Sequence, residues 1–75
     1  MRRIIRQGMR YRAKIALGLL EQFASNELIA DRFAGIGFTE VSVAGQGADR
    51  TVEALWPLPD TEGEVPSQVV ELTEI

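Results

Sequence analysis

Residues 38–56, FTEVSVAGQGADRTVEALW, decide the fold that the sequence predicts. Apolar and polar side chains alternate over roughly 38–44 and again over 51–56, which is the period of a strand with one buried face. The connector between them, GQGADR at 45–50, is rich in glycine and of hairpin length. We therefore predict an antiparallel β-hairpin over 38–56. Its inward face would consist of Val41, Val43, Val52, Ala54 and Trp56.

Upstream of the hairpin, residues 9–35 predict a helical region. At 100° per residue, six apolar residues fall on one broad face, which we expect to pack on the hairpin. These residues are Ile15, Ala16, Leu19, Leu20, Phe23 and Ala24. The apolar stripe loses phase at Ser25-Asn26, and Asn26 is a competent N-cap, so we predict a bend there, with an unbroken helix as the alternative. Gly35 is expected to end the region as a left-handed C′ residue.

The remaining segments complete a single domain over residues 1–75. Pro57 and Pro59 end the hairpin because proline cannot donate a ladder hydrogen bond. We predict a loop rich in proline and acid over 57–67 and a C-terminal strand over 68–75, while 1–8 are a basic arm or a short strand. The predicted fold class is α+β, with an N-terminal helix packed on a small antiparallel sheet built from the hairpin and the C-terminal strand.

The composition narrows the chemistry that this chain can perform. The sequence contains no Cys and no His, which excludes disulfides, thiol nucleophiles, the usual zinc sites and imidazole acid–base catalysis. No pair of carboxylates is marked out by its spacing, so we expect no enzyme, no catalytic residue, no cofactor and no metal. The glycines at 45–47 fit a hairpin turn better than a phosphate loop. Asp49 and Arg50 are expected to be a solvated turn pair of little energy.

The apolar run Ile15–Leu20 is too short for a signal peptide or a membrane span. We therefore expect a protein that is cytoplasmic or part of a soluble assembly.

The charge is divided unevenly along the chain. Residues 1–14 carry a charge of +6, residues 15–75 carry −9, and the net charge is −3. Three explanations remain open. The basic segment could bind nucleic-acid phosphates or an anionic membrane surface. It could pair with acids of its own chain or of a neighbouring copy. It could also be a solvated helix start with no specific role.

Several residues are candidates for contact with a partner. The basic arm contributes Arg2, Arg3, Arg6, Arg10 and Arg12. Tyr11, between two arginines, has the aromatic surface on which single-stranded bases stack. Trp56 is either a core anchor or an interface residue. Val70 and Leu72 share one face of a terminal strand that is apolar on both faces, and the thin core favours association.

The leading hypothesis from these patterns is a non-enzymatic structural or protein-interaction module. It would assemble through its sheet surface and its oppositely charged ends, with itself as a homo-oligomer or with a larger protein that has an acidic surface. The alternative is sequence-independent nucleic-acid binding through the basic N-terminal arm. A third possibility, a small molecule in the crevice between helix and sheet, has no polar cluster in the sequence to locate it.

Overall fold

The computed structural model describes residues 2–75, so Met1, at the start of the predicted basic arm, lies outside the described residues. Strands make up 49% of the structure. The elements in chain order are β1 (Arg2–Ile5), β2 (Arg10–Ala16), a 3₁₀ turn (Glu21–Phe23), α1 (Asn26–Ile36), β3 (Thr39–Gln46), β4 (Asp49–Leu55), β5 (Thr61–Glu64) and β6 (Val69–Glu74).

Four strands form the main sheet, in the order β3-β4-β2-β6, and every neighbouring pair is antiparallel. The strands β2 and β3 are therefore parallel to each other with β4 between them, and α1 connects them as a split β-α-β unit. The strands β1 and β5 pair separately as a two-stranded ribbon. The α+β class is correct, but the predicted arrangement is wrong. The helix lies in the middle of the chain and not at its N-terminus, and residues 2–75 form two sheets where one was predicted.

The N-terminal helix is the main error of the sequence prediction. Residues 10–16 form β2, whose buried residues Tyr11, Ala13 and Ile15 alternate with cations that face solvent. This alternation of period 2 is present in the sequence, but the cluster of apolar residues after it also fits a helical stripe. Strand pairing on both sides of β2 decides between the two periods, because a central strand gains ladder hydrogen bonds and cross-strand contacts that no local propensity outweighs.

The real helix, α1, begins where the apolar stripe changed phase. Ser25 is the N-cap, since its Oγ accepts a hydrogen bond from the Leu28 N–H at 3.0 Å. Asn26 is thus the first helical residue and not the cap. The helix ends at Gly37, whose φ of 132° suits glycine and whose N–H donates to the carbonyl oxygens of Ala34 and Phe33. The predicted end at Gly35 was two residues too early.

The hairpin of β3 and β4 is present, with strands that extend to a tight turn at Gly47-Ala48 in place of the predicted six-residue connector. Two other segments differ from the prediction. Part of the predicted 57–67 loop is the strand β5, which pairs with β1. The C-terminal strand β6 pairs with β2 and not with the hairpin edge.

The core lies on one face of the main sheet, under α1. Ala13, Ile15, Val52 and the helical Ile29 form its buried cluster. Leu19, Leu20 and Phe23, which the helical interpretation placed in the core, are instead 82%, 88% and 84% exposed in and beside the 3₁₀ turn. Within residues 2–75, neither helical segment has the length and apolar character needed to cross a bilayer.

Candidate functional site

The basic N-terminal segment is engaged by acids of the same chain. Arg3 donates from Nη1 to the Leu72 carbonyl oxygen at 2.9 Å, and the other five cations form ion pairs. These pairs are Arg2–Glu62, Arg6–Glu74, Arg10–Glu40, Arg12–Glu53 and Lys14–Glu71, with N–O distances of 2.8 to 3.7 Å. The basic segment therefore pairs with groups of its own chain. This is one of the explanations that the sequence left open.

Two of these ion pairs cross the outer face of the main sheet, the face opposite α1. Arg12 lies directly opposite Glu53 on β4, and Lys14 lies directly opposite Glu71 on β6. All four side chains are at least 40% exposed, so each pair contributes at most about 1 kcal/mol to stability. The outer face is thus a solvated, charge-balanced surface.

A hydrogen-bonded cluster joins the ribbon to β2 and β6. The Arg6 guanidinium donates to both oxygens of Glu74, at 2.8 and 3.0 Å. The Tyr11 hydroxyl donates to Glu74 Oε2 at 3.2 Å and accepts from the Arg6 N–H at 2.8 Å. The hydrogen bond from Arg6 holds the pKa of Glu74 below its ordinary value, with a smaller contribution from Tyr11. Tyr11 is 2% exposed, so its ring is not accessible for base stacking.

Trp56 is a buried anchor of the core. It is 4% exposed, and its indole N–H donates to the Pro59 carbonyl oxygen at 3.1 Å. Its ring meets Phe38 edge-on, with centroids 4.8 Å apart.

Val70 and Leu72, predicted on one face of the last strand, are separated by an irregularity in the β2–β6 pairing. There Lys14 pairs with Glu71 but Ile15 pairs with Val69. Because Val70 is the extra residue of this bulge, it is exposed, while Leu72 faces the core side and is half-buried.

An apolar groove with a volume of about 880 Å³ lies on the core side of the sheet. Its floor is the inner face of β2 and β6. One wall is α1, the opposite wall is the ribbon with the residues that follow it, and the 3₁₀ turn closes one end. Residues that line it include Ala13 and Leu72 on the floor, Leu28, Phe33 and Ile36 on α1, Ile5 and Val65 on the ribbon side, and Leu20 and Ala24 beside the turn.

The topology explains why this groove is open. Both ends of α1 lie beside β3, because Asn26 Nδ2 donates to the Gly45 carbonyl oxygen at 3.1 Å and the helix leads directly into Thr39. The strands β4 and β6 are also parallel, with β2 between them. A crossover between such strands is usually a helix packed on the sheet. In this chain the crossover, residues 56–68, is extended and includes β5, so the inner face of β2 and β6 lacks a covering helix.

Arg50 fixes the end of the groove, a role that its sequence neighbours do not indicate. Its guanidinium is buried at 6% exposure and donates to the Gly47 carbonyl oxygen, Asn26 Oδ1 and the Gln22 carbonyl oxygen at 2.9 to 3.0 Å. It therefore ties the 3₁₀ turn and the start of α1 to the hairpin. The expected solvated pair of Asp49 and Arg50 is wrong, and no local pattern indicates the burial, because all three partners are neutral and two are distant in sequence.

Four charged residues line the groove. Arg3, Glu21 and Glu64 each have a partner within the molecule. The backbone N–H of Gly18 and the Gln68 amide donate to Glu21, and these hydrogen bonds lower the pKa of its carboxyl group. Arg32 is different. Of the eight basic side chains, all of which lie in residues 2–75, it is the one without a hydrogen bond or ion pair to the described chain.

The groove is lined mainly by apolar side chains. Among residues 2–75, no three carboxylates converge as a metal site would require. Comparison with known proteins found no matching family model, no matching curated protein and no matching solved structure. The physical character of the groove is therefore the basis for assigning a function.

Proposed function

We propose that this chain is a non-enzymatic protein-interaction module whose docking surface is the apolar groove together with the 3₁₀ turn. The observation that carries the proposal is the exposure of Leu19, Leu20 and Phe23, each more than four fifths accessible, at the end of a groove that is itself lined by apolar side chains. Contiguous apolar surface of this kind marks interaction sites on soluble proteins.

The energetics favour a partner on this surface. Burial of a Leu or Phe side chain contributes about 1.5–3 kcal/mol relative to full exposure. Burial of the three side chains of the turn would therefore offset a substantial part of the entropic cost of association. Ile36 and Leu28 on α1 are also exposed and extend the same surface along the helix.

A small apolar molecule fits this surface less well than a protein does. The groove volume is within the range of about 300–1,000 Å³ found for ligand sites. However, Leu19 and Phe23 do not line the groove, so a molecule held inside it would leave both side chains in water. A polypeptide segment that continues past the end of the groove would cover them.

The charged ends are less suitable as the docking surface. Every cation in residues 2–14 is already held by a partner within the chain, so contact with an acidic protein or with nucleic acid would have to displace those partners. Tyr11 and Trp56 are buried and offer no aromatic surface to either partner. We therefore place assembly at the groove and not at the ends.

Site-specific photocrosslinking tests this assignment. A photoreactive amino acid at Leu20, in the full chain expressed in its own cells, should yield a discrete adduct with another polypeptide. The matched control is the same residue at Thr73, which is exposed on β6 away from the groove, and it should yield none. An adduct between two copies from Leu20 would identify the partner as a second molecule of this chain. Equal adducts from both positions would refute the groove as the docking surface.

A further inference from the structure

We infer that the segment bound in the groove is an amphipathic helix of another protein, and that this helix carries an acidic residue opposite Arg32. This inference rests on the proposed function and specifies its partner. Three observations lead to it: the missing crossover helix, the size of the groove and the unpaired guanidinium on its wall.

The sheet topology leaves a position in the groove where a crossover helix would ordinarily pack. Crossovers between parallel strands of one sheet are almost always right-handed, and that rule places the β2-to-β3 and β4-to-β6 connections on the same face of this sheet. The first connection contains α1 on that face. The second has residues on that face, Gly63 and Val65, but they form the groove wall and leave the floor uncovered. An added helix would complete the layer.

The volume of the groove agrees with a short helix. The volume of about 880 Å³ is near the upper end of the range of about 300–1,000 Å³ for binding sites, and an α-helix with its side chains is about 10–12 Å in diameter and rises 1.5 Å per residue. The neighbouring helix α1 has 11 residues. Such a partner would present apolar side chains at i, i+3 or i+4 and i+7 to the floor.

The charge of the groove specifies one position of this partner. Leu28, Arg32 and Ile36 follow one another at intervals of four along α1 and all line the groove, so Arg32 lies between two apolar contacts. A helix that covers Leu28 and Ile36 also removes water from the guanidinium between them. Desolvation of an unpaired charge is costly, whereas a carboxylate placed against the guanidinium would form a bidentate ion pair with it.

The same residue argues against a second copy as the occupant. α1 is the helix of residues 2–75 with an exposed apolar stripe, so a second copy that supplied a helix to the groove would supply α1. In a twofold contact whose axis crosses the middle of this stripe, Arg32 meets its own copy. Two unpaired guanidinium groups would repel each other there, which favours a different protein as the partner.

Selection from displayed peptide libraries tests the inference without knowledge of the natural partner. One library of 15-residue peptides has apolar residues at helical spacing, and a second has them at alternate positions, with all other positions random in both. The full-length chain is the target, and a folded L20S/F23S variant removes binders that do not use the 3₁₀ turn at the end of the groove. We expect enrichment only from the helical library, with Asp or Glu dominant at one position next to the apolar stripe.

Charge reversal provides the specific control. Selection against Arg32→Glu should change the dominant residue at that position from acidic to basic and weaken the original peptides at least tenfold. Enrichment from the alternating library instead would refute the helix while retaining the groove as a docking site. A helical binder without charge preference, or one indifferent to Arg32→Glu, would refute the acidic contact. Failure of both libraries to yield groove-dependent binders would refute the proposed function itself.

Discussion

Arg50 illustrates how one side chain can organise a small protein. Its guanidinium is buried and has no carboxylate partner, but it satisfies neutral oxygens from three separate segments, the 3₁₀ turn, α1 and the hairpin turn. Buried polar groups are tolerated when each has its hydrogen-bond partner, and no side-chain polar atom buried within residues 2–75 lacks one. The residue therefore holds in place the turn that presents Leu20 and Phe23.

Replacement of this guanidinium should be costly. Arg50→Ala leaves three oxygens without their donor, and we expect the free energy of unfolding to fall by about 1–3 kcal/mol. Urea denaturation followed by the fluorescence of Trp56 measures the loss. The control is Arg32→Ala, which removes an arginine with no hydrogen bond and should change stability by less than about 0.5 kcal/mol. Equal midpoints for the two variants would contradict the role of Arg50.

At the scale of elements, β2 shows that one stretch of sequence can satisfy two periods. The alternation of cations with Tyr11, Ala13 and Ile15 is present in the sequence. The apolar residues that follow it also fit a helical stripe, which is why the sequence predicts a helix there. The strand is favoured because β2 pairs with β4 on one side and with β6 on the other, where Arg12 and Lys14 also lie directly opposite acids. Those acids are about 40 and 57 residues away in sequence, so a local pattern could not reveal them.

Two glycines test where α1 ends. Gly35 is inside the helix, and a Cβ there would meet nothing within 4 Å, so Gly35→Ala should stabilise the protein by about 0.4–1 kcal/mol. Gly37 has a φ of 132°, and a Cβ there would lie 2.7 Å from Leu58 Cδ1, so Gly37→Ala should destabilise it by about 1–3 kcal/mol. Thermal unfolding should show Tm shifts of opposite sign. A loss of stability in Gly35→Ala would contradict a helix that continues past Gly35 and would favour Gly35 as its last residue.

At the scale of the whole molecule, the sheet has two faces of different character. The outer face is solvated and balanced by ion pairs, while the inner face is apolar and only half covered by α1. Assembly through the sheet, as the sequence suggested, therefore becomes a proposal about the inner face alone. The charged N-terminal segment contributes to the fold of its own chain through its ion pairs and through the hydrogen bond from Arg3 to Leu72.

The carboxylates that hold the ribbon and the turn make stability depend on pH. The pKa values of Glu74 and Glu21 are lowered by hydrogen bonds in the folded state, from an ordinary value of 4.5. Their contribution is therefore complete above the unfolded pKa and is lost as the pH falls through the lower folded values. We expect the urea midpoint to be constant from pH 7 to about 5 and to fall below about 4.5.

Glu74→Gln should reduce this acid dependence, because the titrating partner of Arg6 is removed. Asp31→Asn, which replaces an exposed helical carboxylate without a hydrogen bond to residues 2–75, is the matched control and should retain the dependence. Urea midpoints at a series of pH values provide the comparison. A Glu74→Gln profile that superimposes on the parent profile would show that the Arg6–Glu74 contact contributes nothing to the pH dependence.

The sequence by itself determined the local features of this protein. The α+β class, the hairpin over 38–56 and the change of phase at Ser25-Asn26 follow from side-chain period and capping chemistry, which act between residues close in the chain. The tertiary structure alone decided the period of residues 10–16, the position of β6 beside β2, the burial of Arg50 and the exposure of Leu19, Leu20 and Phe23. These features depend on which segments meet across the fold, since ladder pairing and desolvation are energies between residues that the chain order does not place together.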